Sequence, residues 1–463
     1  MPATISDQIA SHLAEVRFEQ LPAVAVEAAK RSLLDALGVM LGASGLGEGC
    51  EAFAALARDE SPAGPCWLWG WGSSAALLPA VLANGALAHA LDFEDAFDEA
   101  PCHPNAALIP AALALTQARG PISGPSLITA IAAGCDLVCR LALSLRSDPA
   151  DGGWYWPPIL GAFGAAACAG RLLRLGPVQM RDALSLTLCQ STCSAELKYS
   201  RRSVVRAVRD GFSAHAGLVS ALLAQRGVTG FEQPLEGRAG LYALYARGQW
   251  EPQALTQRLG AHFYGAEVSF KPWPSCRGTH ALIEAALALR QSPGFRPDEI
   301  AQLRTYGGTV QQMLTEPRSQ KLRPQTAIDA KFSIPFTVAT ALAHGAVTLQ
   351  SFRAEALADP EVLALAERVS FQVESAAADP TATAGALEIV MSDGCVLSKR
   401  VTHPRGHYSM PLSWQELCAK FQLCAAEARV PLSSTQSARL LQWIQELEQQ
   451  RDATAALAGI LGG

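Results

Sequence analysis

The chain has 463 residues, 49% of them hydrophobic, a formal net charge of -5 and an isoelectric point near 6.0. That length and apolar content define a globular protein with room for two or three domains and a sizeable core. No overall basic field exists, which excludes nucleic acid and an anionic membrane surface as general partners and points to a small-molecule partner instead. The twelve cysteines never form C-x-x-C. Cys135 with Cys139 and Cys189 with Cys193 are spaced for one helix face, so free buried thiols are expected rather than a disulfide or metal set. The opening MPATISDQIASHLAEV has no basic segment followed by an apolar one, and a cytoplasmic location is the expectation. Apolar stretches such as WPPILGAFGAAACAG from Trp156, closed by Arg171, read as shorter than the ~18 to 20 residues of a membrane span.

Up to residue 265 the pattern predicts Ala- and Leu-rich helices cut by Gly and Pro, as in LPAVAVEAAKRSLLDALGVMLGASG, where Pro22 suits a first turn and Gly42 lies near the stop. Little charge on any face implies burial among other helices. Helical periodicity then runs to Leu91, where an acidic elbow begins: Asp92, Glu94, Asp95, Asp98 and Glu99, followed by Pro101, His103 and Pro104. Pro104 opens a new apolar helix, so His103 stands at a helix start, where partial positive charge keeps an imidazole neutral and favours anions. Asp92, between Leu91 and Phe93, is set apart from the other acids by apolar neighbours. A solvated acidic turn capped by His103 is the alternative reading.

A basic segment answers the elbow at Lys198, Arg201, Arg202, Arg206 and Arg209, at the start of a helix expected to end at Gly227. Arg202, Arg206 and Arg209 share one stripe, and guanidinium groups clamp carboxylates while staying protonated. A surface stripe paired with Asp210 and other acids is equally open. Near residue 266 the character changes. In FKPWPSCRGTH, Lys271 sits among Phe and Pro neighbours whose desolvation is expected to lower its pKa, and Arg277 and His280 flank Thr279, a candidate N-cap. Short β-type runs follow at AQLRTYGGTV, RVSFQVES and GALEIVMSDGCVLSKRV, the last with a Ser-Asp-Gly hairpin signal. The buried helix FSIPFTVATALAHG lies between them. PLSWQELCAKF opens with Ser413 and Glu416 at capping-box spacing. The expected fold is mainly α, with a large helical domain at 1–265, an α+β lid domain at 266–405, and C-terminal helices at 406–463 that rejoin the helical domain.

Seven segments in order, AHALDFEDAF, HPNAALIPAALAL, GAFGAAA, DGFSAHAGLVSALLAQRGVTG, FKPWPSCRGTH, DAKFSIPFTVATAL and PLSWQELCAKF, resemble the MmgE/PrpD family of 2-methylcitrate dehydratases, cis-aconitate decarboxylases and iminodisuccinate epimerases. The resemblance spans nearly the whole chain. It implies a helical domain built from both chain ends, an inserted α+β lid, usually a homodimer, and chemistry on di- or tricarboxylates with no metal or organic cofactor. By position, Asp92 matches the first acid of the family's D-F-D-D-T motif, His103 its H-P histidine and Lys271 the lysine of K-P-x-P. Four positions depart from the family pattern: Ala96 for threonine or serine, Tyr155 for a histidine, Arg206 for a lysine, and Phe336 for a tyrosine.

The resemblance therefore implies Asp92, His103, Lys271 and Tyr155 as catalytic candidates. Arg202, Arg206, Arg209, Arg277, His280, Ala96 and Phe336 become candidates for the substrate-binding wall, and no metal ligands are assigned. The leading expectation is a lyase, dehydratase or decarboxylase, in which cations stabilise the enolate-like charge left at an activated carbon. An epimerase acting beside a carboxylate and a non-catalytic carboxylate binder are the alternatives. A magnesium-diphosphate reading of DFEDAFDE is disfavoured, because no second metal motif appears and the β-rich insert is foreign to that architecture.

Overall fold

Several helices have no polar face, and their burial follows from that composition. In Leu77–Ala90 every residue from Ala83 onward is buried, as is every residue from Asn105 to Thr116 in Asn105–Ala118. These two pack with Trp156–Leu172 and Asp210–Gln225 into the centre of the chain. The computed structural model describes residues 3–100, 102–200, 203–374 and 383–462, and the fold is mainly α.

One crossing fixes the geometry of the site. A Cβ on Gly85 would stand 2.8 Å from the Gly211 Cα, and one on Gly211 would stand 2.6 Å from the Leu82 carbonyl. Only paired glycines let Leu77–Ala90 and Asp210–Gln225 approach so closely. The approach brings Arg209 and Asp210, at the start of the second helix, towards the end of the first.

The strands are short. β1 (Cys66–Leu68) pairs with β2 (Ser73–Ala75), and β3 (Ala96–Phe97) with β4 (Val268–Ser269), both antiparallel. A four-stranded sheet in the order β6-β5-β7-β8 is built from β5 (Ile300–Gly307), β6 (Val369–Val373), β7 (Gly385–Met391) and β8 (Val396–Val401). β5 and β6 are parallel, whereas β5–β7 and β7–β8 are antiparallel. The hairpin read at Ser-Asp-Gly joins β7 to β8, and the helix His280–Arg290 packs on both. Ile334–His344 forms as expected. Ser413 and Glu416 complete the capping box of Trp414–Ala426, which packs against Ala23–Leu46.

One expectation needs correction. The helix Gly124–Leu143, 20 residues long, is long and apolar enough to cross a membrane by length and composition, so the apolar stretches are not all too short. Most of its residues are buried within the chain, and Asp136 and Arg140 pair inside it at 2.7 Å. The helix expected to end at Gly227 runs as Asp210–Gln225, preceded by the short helix Val205–Val208 with Arg209 between them. All twelve cysteines are free, and seven of them are buried as packing groups.

Candidate active site

The helix Leu77–Ala90 ends at Leu91, and the chain reverses through Asp92, whose φ of 48° is left-handed. That conformation costs a non-glycine residue about 1–2 kcal/mol, although Asp tolerates it better than most. β3 follows, and its register with β4, Ala96 opposite Ser269, carries Lys271 back over the elbow. Lys271 Nζ donates to Asp92 Oδ1 at 2.7 Å and to the Asp92 carbonyl at 3.0 Å. Both side chains are buried.

Burial is the largest influence on Lys271 and alone would lower its pKa. The charges of Asp92 and Glu94, with the hydrogen bond to Asp92, outweigh it, and the ammonium is held above its ordinary value. The expectation of a lysine made easy to deprotonate is corrected: Lys271 remains a cation.

Glu94 Oε1 lies against Nδ1 of both His89 and His103, the second at 3.0 Å. His103 Nδ1 also meets the Asp95 carbonyl at 2.8 Å. A carbonyl oxygen only accepts, so Nδ1 is assigned the hydrogen and Nε2 keeps a lone pair. Burial holds His89 well below the usual imidazole value, and Arg209 adds to that effect; burial does the same to His103 against the opposing pull of Glu94. Both rings are therefore neutral at neutral pH. The sequence assigned a neutral His103 to the following helix start, but desolvation is the larger cause. His103 keeps a 17% exposed side chain, whereas His89 is sealed.

Arg206 and Arg209 of the basic segment turn inward rather than to solvent. Arg206 is 8% exposed and its guanidinium lies 3.5 Å from the centre of the Phe332 ring. Arg209, 1% exposed, stands 5.0 Å from the Tyr155 ring and 3.6 Å from Asp210 Oδ2, and donates through Nη1 to the Arg206 carbonyl. The charges of both reach His89. Arg201 and Arg202 lie outside the described residues.

Among the described residues, Asp92 Oδ2, Glu94 Oε2, His89 Nε2, Arg206 Nε, and Nε and Nη2 of Arg209 are buried without a hydrogen-bond partner. Buried polar atoms are nearly always bonded, so this much spare capacity, with donors and acceptors both represented, marks a place built for a polar ligand. A cavity of about 590 Å³ opens alongside, with Arg209 in its wall beside Ser191, Cys193, Leu197, Phe212 and Ser213. His89, Asp92, Glu94 and His103 also offer donor atoms within 4.8 Å of one another, a spacing a cation could use. The Lys271 ammonium already supplies positive charge there.

The other expected site residues differ in their surroundings. Arg277 binds Asp98 through Nε at 2.9 Å and Nη2 at 2.9 Å, and its Nη1 meets His280 Nδ1 at 3.2 Å. His280 Nε2 faces the Ser275 carbonyl at 3.1 Å. Arg277 and His280, expected in the substrate-binding wall, here meet one another, Asp98 and the Ser275 carbonyl. Tyr155 caps Trp156–Leu172 and carries Lys198 and Arg209 against its ring. Ala96 is buried in β3, and Phe336 is wholly buried near Phe352. Asp95 is fully buried and accepts from Asn105 at 2.9 Å; burial, with Asp35 and Glu94 nearby, pushes it up to about 8.

Sequence reasoning missed His89, which reads as one more member of an apolar helix, and the buried lysines Lys331 and Lys420. A lone cation inside an apolar run was the available signal for both.

Residues 7–253 match the MmgE/PrpD N-terminal domain and residues 273–447 the MmgE/PrpD C-terminal domain. The chain belongs to the MmgE/PrpD family. It is similar to a cis-aconitate decarboxylase-like protein of Aspergillus oryzae, at 26% identity over 99% of this chain and 97% of that protein. Cis-aconitate decarboxylase of Mus musculus is 26% identical over 98% of this chain and 93% of its own length. The enzyme of that name from Aspergillus terreus is 25% identical over 91% and 89%.

Proposed function

We propose that this chain is a lyase that decarboxylates a small unsaturated di- or tricarboxylate related to cis-aconitate, without a metal or organic cofactor. The observation that carries the reading is the unfilled hydrogen-bond capacity of Arg206 and Arg209, whose charges reach His89, together with that of Asp92, Glu94 and His89. The two arginines hold substrate carboxylates and stay charged throughout. As the bond to the departing carboxylate breaks, carbon dioxide leaves and the electron pair passes to the remaining skeleton. The Lys271 ammonium, kept protonated by Asp92, stabilises that charge. One proton from water then returns to carbon through His103, whose Nδ1 stays anchored to the Asp95 carbonyl while Nε2 takes that proton up and delivers it. Tyr155, held under Arg209, borders the same cluster.

The purified protein should release carbon dioxide from cis-aconitate or a close analogue, and in deuterated water the product should carry one deuterium on carbon. Loss of water with no carbon dioxide would replace decarboxylation by dehydration. Exchange of an alpha proton alone would make the chain an epimerase. Binding with neither outcome would make it a carboxylate binder.

A further inference from the structure

Two segments that carry the family resemblance, DAKFSIPF and QELCAKF, play no part in the chemistry above, yet each delivers a buried lysine to the acidic elbow. Lys331 closes the short helix Ala327–Lys331 and donates to the Leu91 carbonyl at 2.7 Å. Lys420, in Trp414–Ala426, donates to the Phe93 carbonyl and to Asp35 Oδ1, both at 2.6 Å, with its ammonium 3.9 Å from the centre of the Phe93 ring. Lys271 takes the carbonyl between them, that of Asp92, at 3.0 Å. Three consecutive carbonyls are thus each met by an ammonium from a different, distant part of the chain. Leu91, Asp92 and Phe93 are all buried.

The need for donors follows from the helix end. The last carbonyls of Leu77–Ala90 and those just beyond have no intrahelical partner, and the negative end of the helix favours cations. The left-handed Asp92 peptide is a sparsely populated conformation that persists only where its surroundings hold it. Acids in the same region, Asp92, Asp35 and Glu94, balance the gathered positive charge.

We propose that Lys331 and Lys420 are positioning residues that, with Lys271, grip the Leu91–Phe93 backbone and so hold the Asp92 carboxylate where it keeps the Lys271 ammonium in place for the reaction. The inference rests on the decarboxylase reading for its kinetic consequence but not for its structural one. Lys331→Met and Lys420→Met should each lower kcat on the order of 10²-fold with KM within about threefold, since misplacing a catalytic group by an ångström costs about that much. Lys331→Arg, which keeps charge and donors, should recover most of the rate. Hydrogen exchange over residues 88–98 should quicken at least about tenfold in the methionine variants, while the sheet β5–β8 keeps its protection.

Unchanged exchange at the elbow with unchanged kcat overturns the proposal, as does a loss that appears only in KM. If a methionine variant fails to fold, Lys331→Gln and Lys420→Gln carry the same test. If the parent enzyme turns over no carboxylate, the decarboxylase reading falls, and the exchange measurement alone decides the clamp.

Discussion

Two buried charge clusters lie within a few residues of each other along the elbow, and they are built in opposite ways. Asp98 is saturated: it accepts from Arg277 twice and from Ser269 Oγ at 2.5 Å, and Arg277 in turn meets His280. Asp92, Glu94 and His89, equally buried, each keep one polar atom without a partner, and Arg206 and Arg209, whose charges reach His89, are in the same condition. A satisfied network rigidifies a core, whereas a partly satisfied one carries a cost that a ligand can remove. The difference separates a structural pin from the candidate site where the bare sequence shows only acids and bases at similar density.

The largest expected effect falls on the unsaturated cluster. Lys271→Met or Asp92→Asn should cut kcat at least on the order of 10³-fold, as expected for the loss of charge stabilisation in a closed site. A variant that keeps a tenth of the parent rate would break the comparison. On the saturated side, Asp98→Asn should cost about 3 kcal/mol of stability in urea denaturation, because it strips one partner from a buried ion pair. KM should stay within about twofold of the parent's, since no substrate contact is removed; a tenfold rise in KM would return Arg277 to the binding wall.

A smaller effect concerns pH. Asp95 is protonated in the folded chain up to about 8 and ionises near 4 when unfolded. A raised folded value means that stability is fully present below the unfolded value and lost as pH climbs through the folded one. Between pH 6 and 8 the parent should therefore lose about 1.4 kcal/mol per unit relative to Asp95→Asn, which mimics the protonated acid. Parallel urea midpoints for the two proteins at both pH values would contradict this. Last, chelation with EDTA should leave the rate within about twofold, because the Lys271 ammonium supplies the positive charge that a metal would otherwise bring to the His89–Asp92–Glu94–His103 group. A large loss, restored by one divalent ion, would reassign the 4.8 Å cluster as a metal site.

Long apolar helices, the β7–β8 hairpin and the Ser413–Glu416 cap could be read from sequence because each depends on neighbours within a few residues. Asp92, His103 and Lys271 were reachable too, through the density of acids, the His-Pro helix start and a lysine among apolar residues. β1 to β4, of two or three residues each, have no periodicity to detect. The commitment of Arg277 to Asp98 depends on the β3–β4 pairing across 171 positions, as does the raised rather than lowered pKa of Lys271. Lys331 and Lys420 act on backbone carbonyls, which carry no side-chain signature.

The central claim is that one carboxylate ligand satisfies the spare donors of Arg206 and Arg209, with its skeleton lying against the acidic elbow. A crystal structure with tricarballylate, an unreactive tricarboxylate, tests it most directly. The expected result is carboxylate oxygens about 3 Å from the Arg209 and Arg206 guanidinium groups, with the ligand skeleton against Asp92, His103 and Lys271. Tricarballylate seated elsewhere, with the Arg206 Nε and the Arg209 Nε and Nη2 donors still unpartnered, would contradict it.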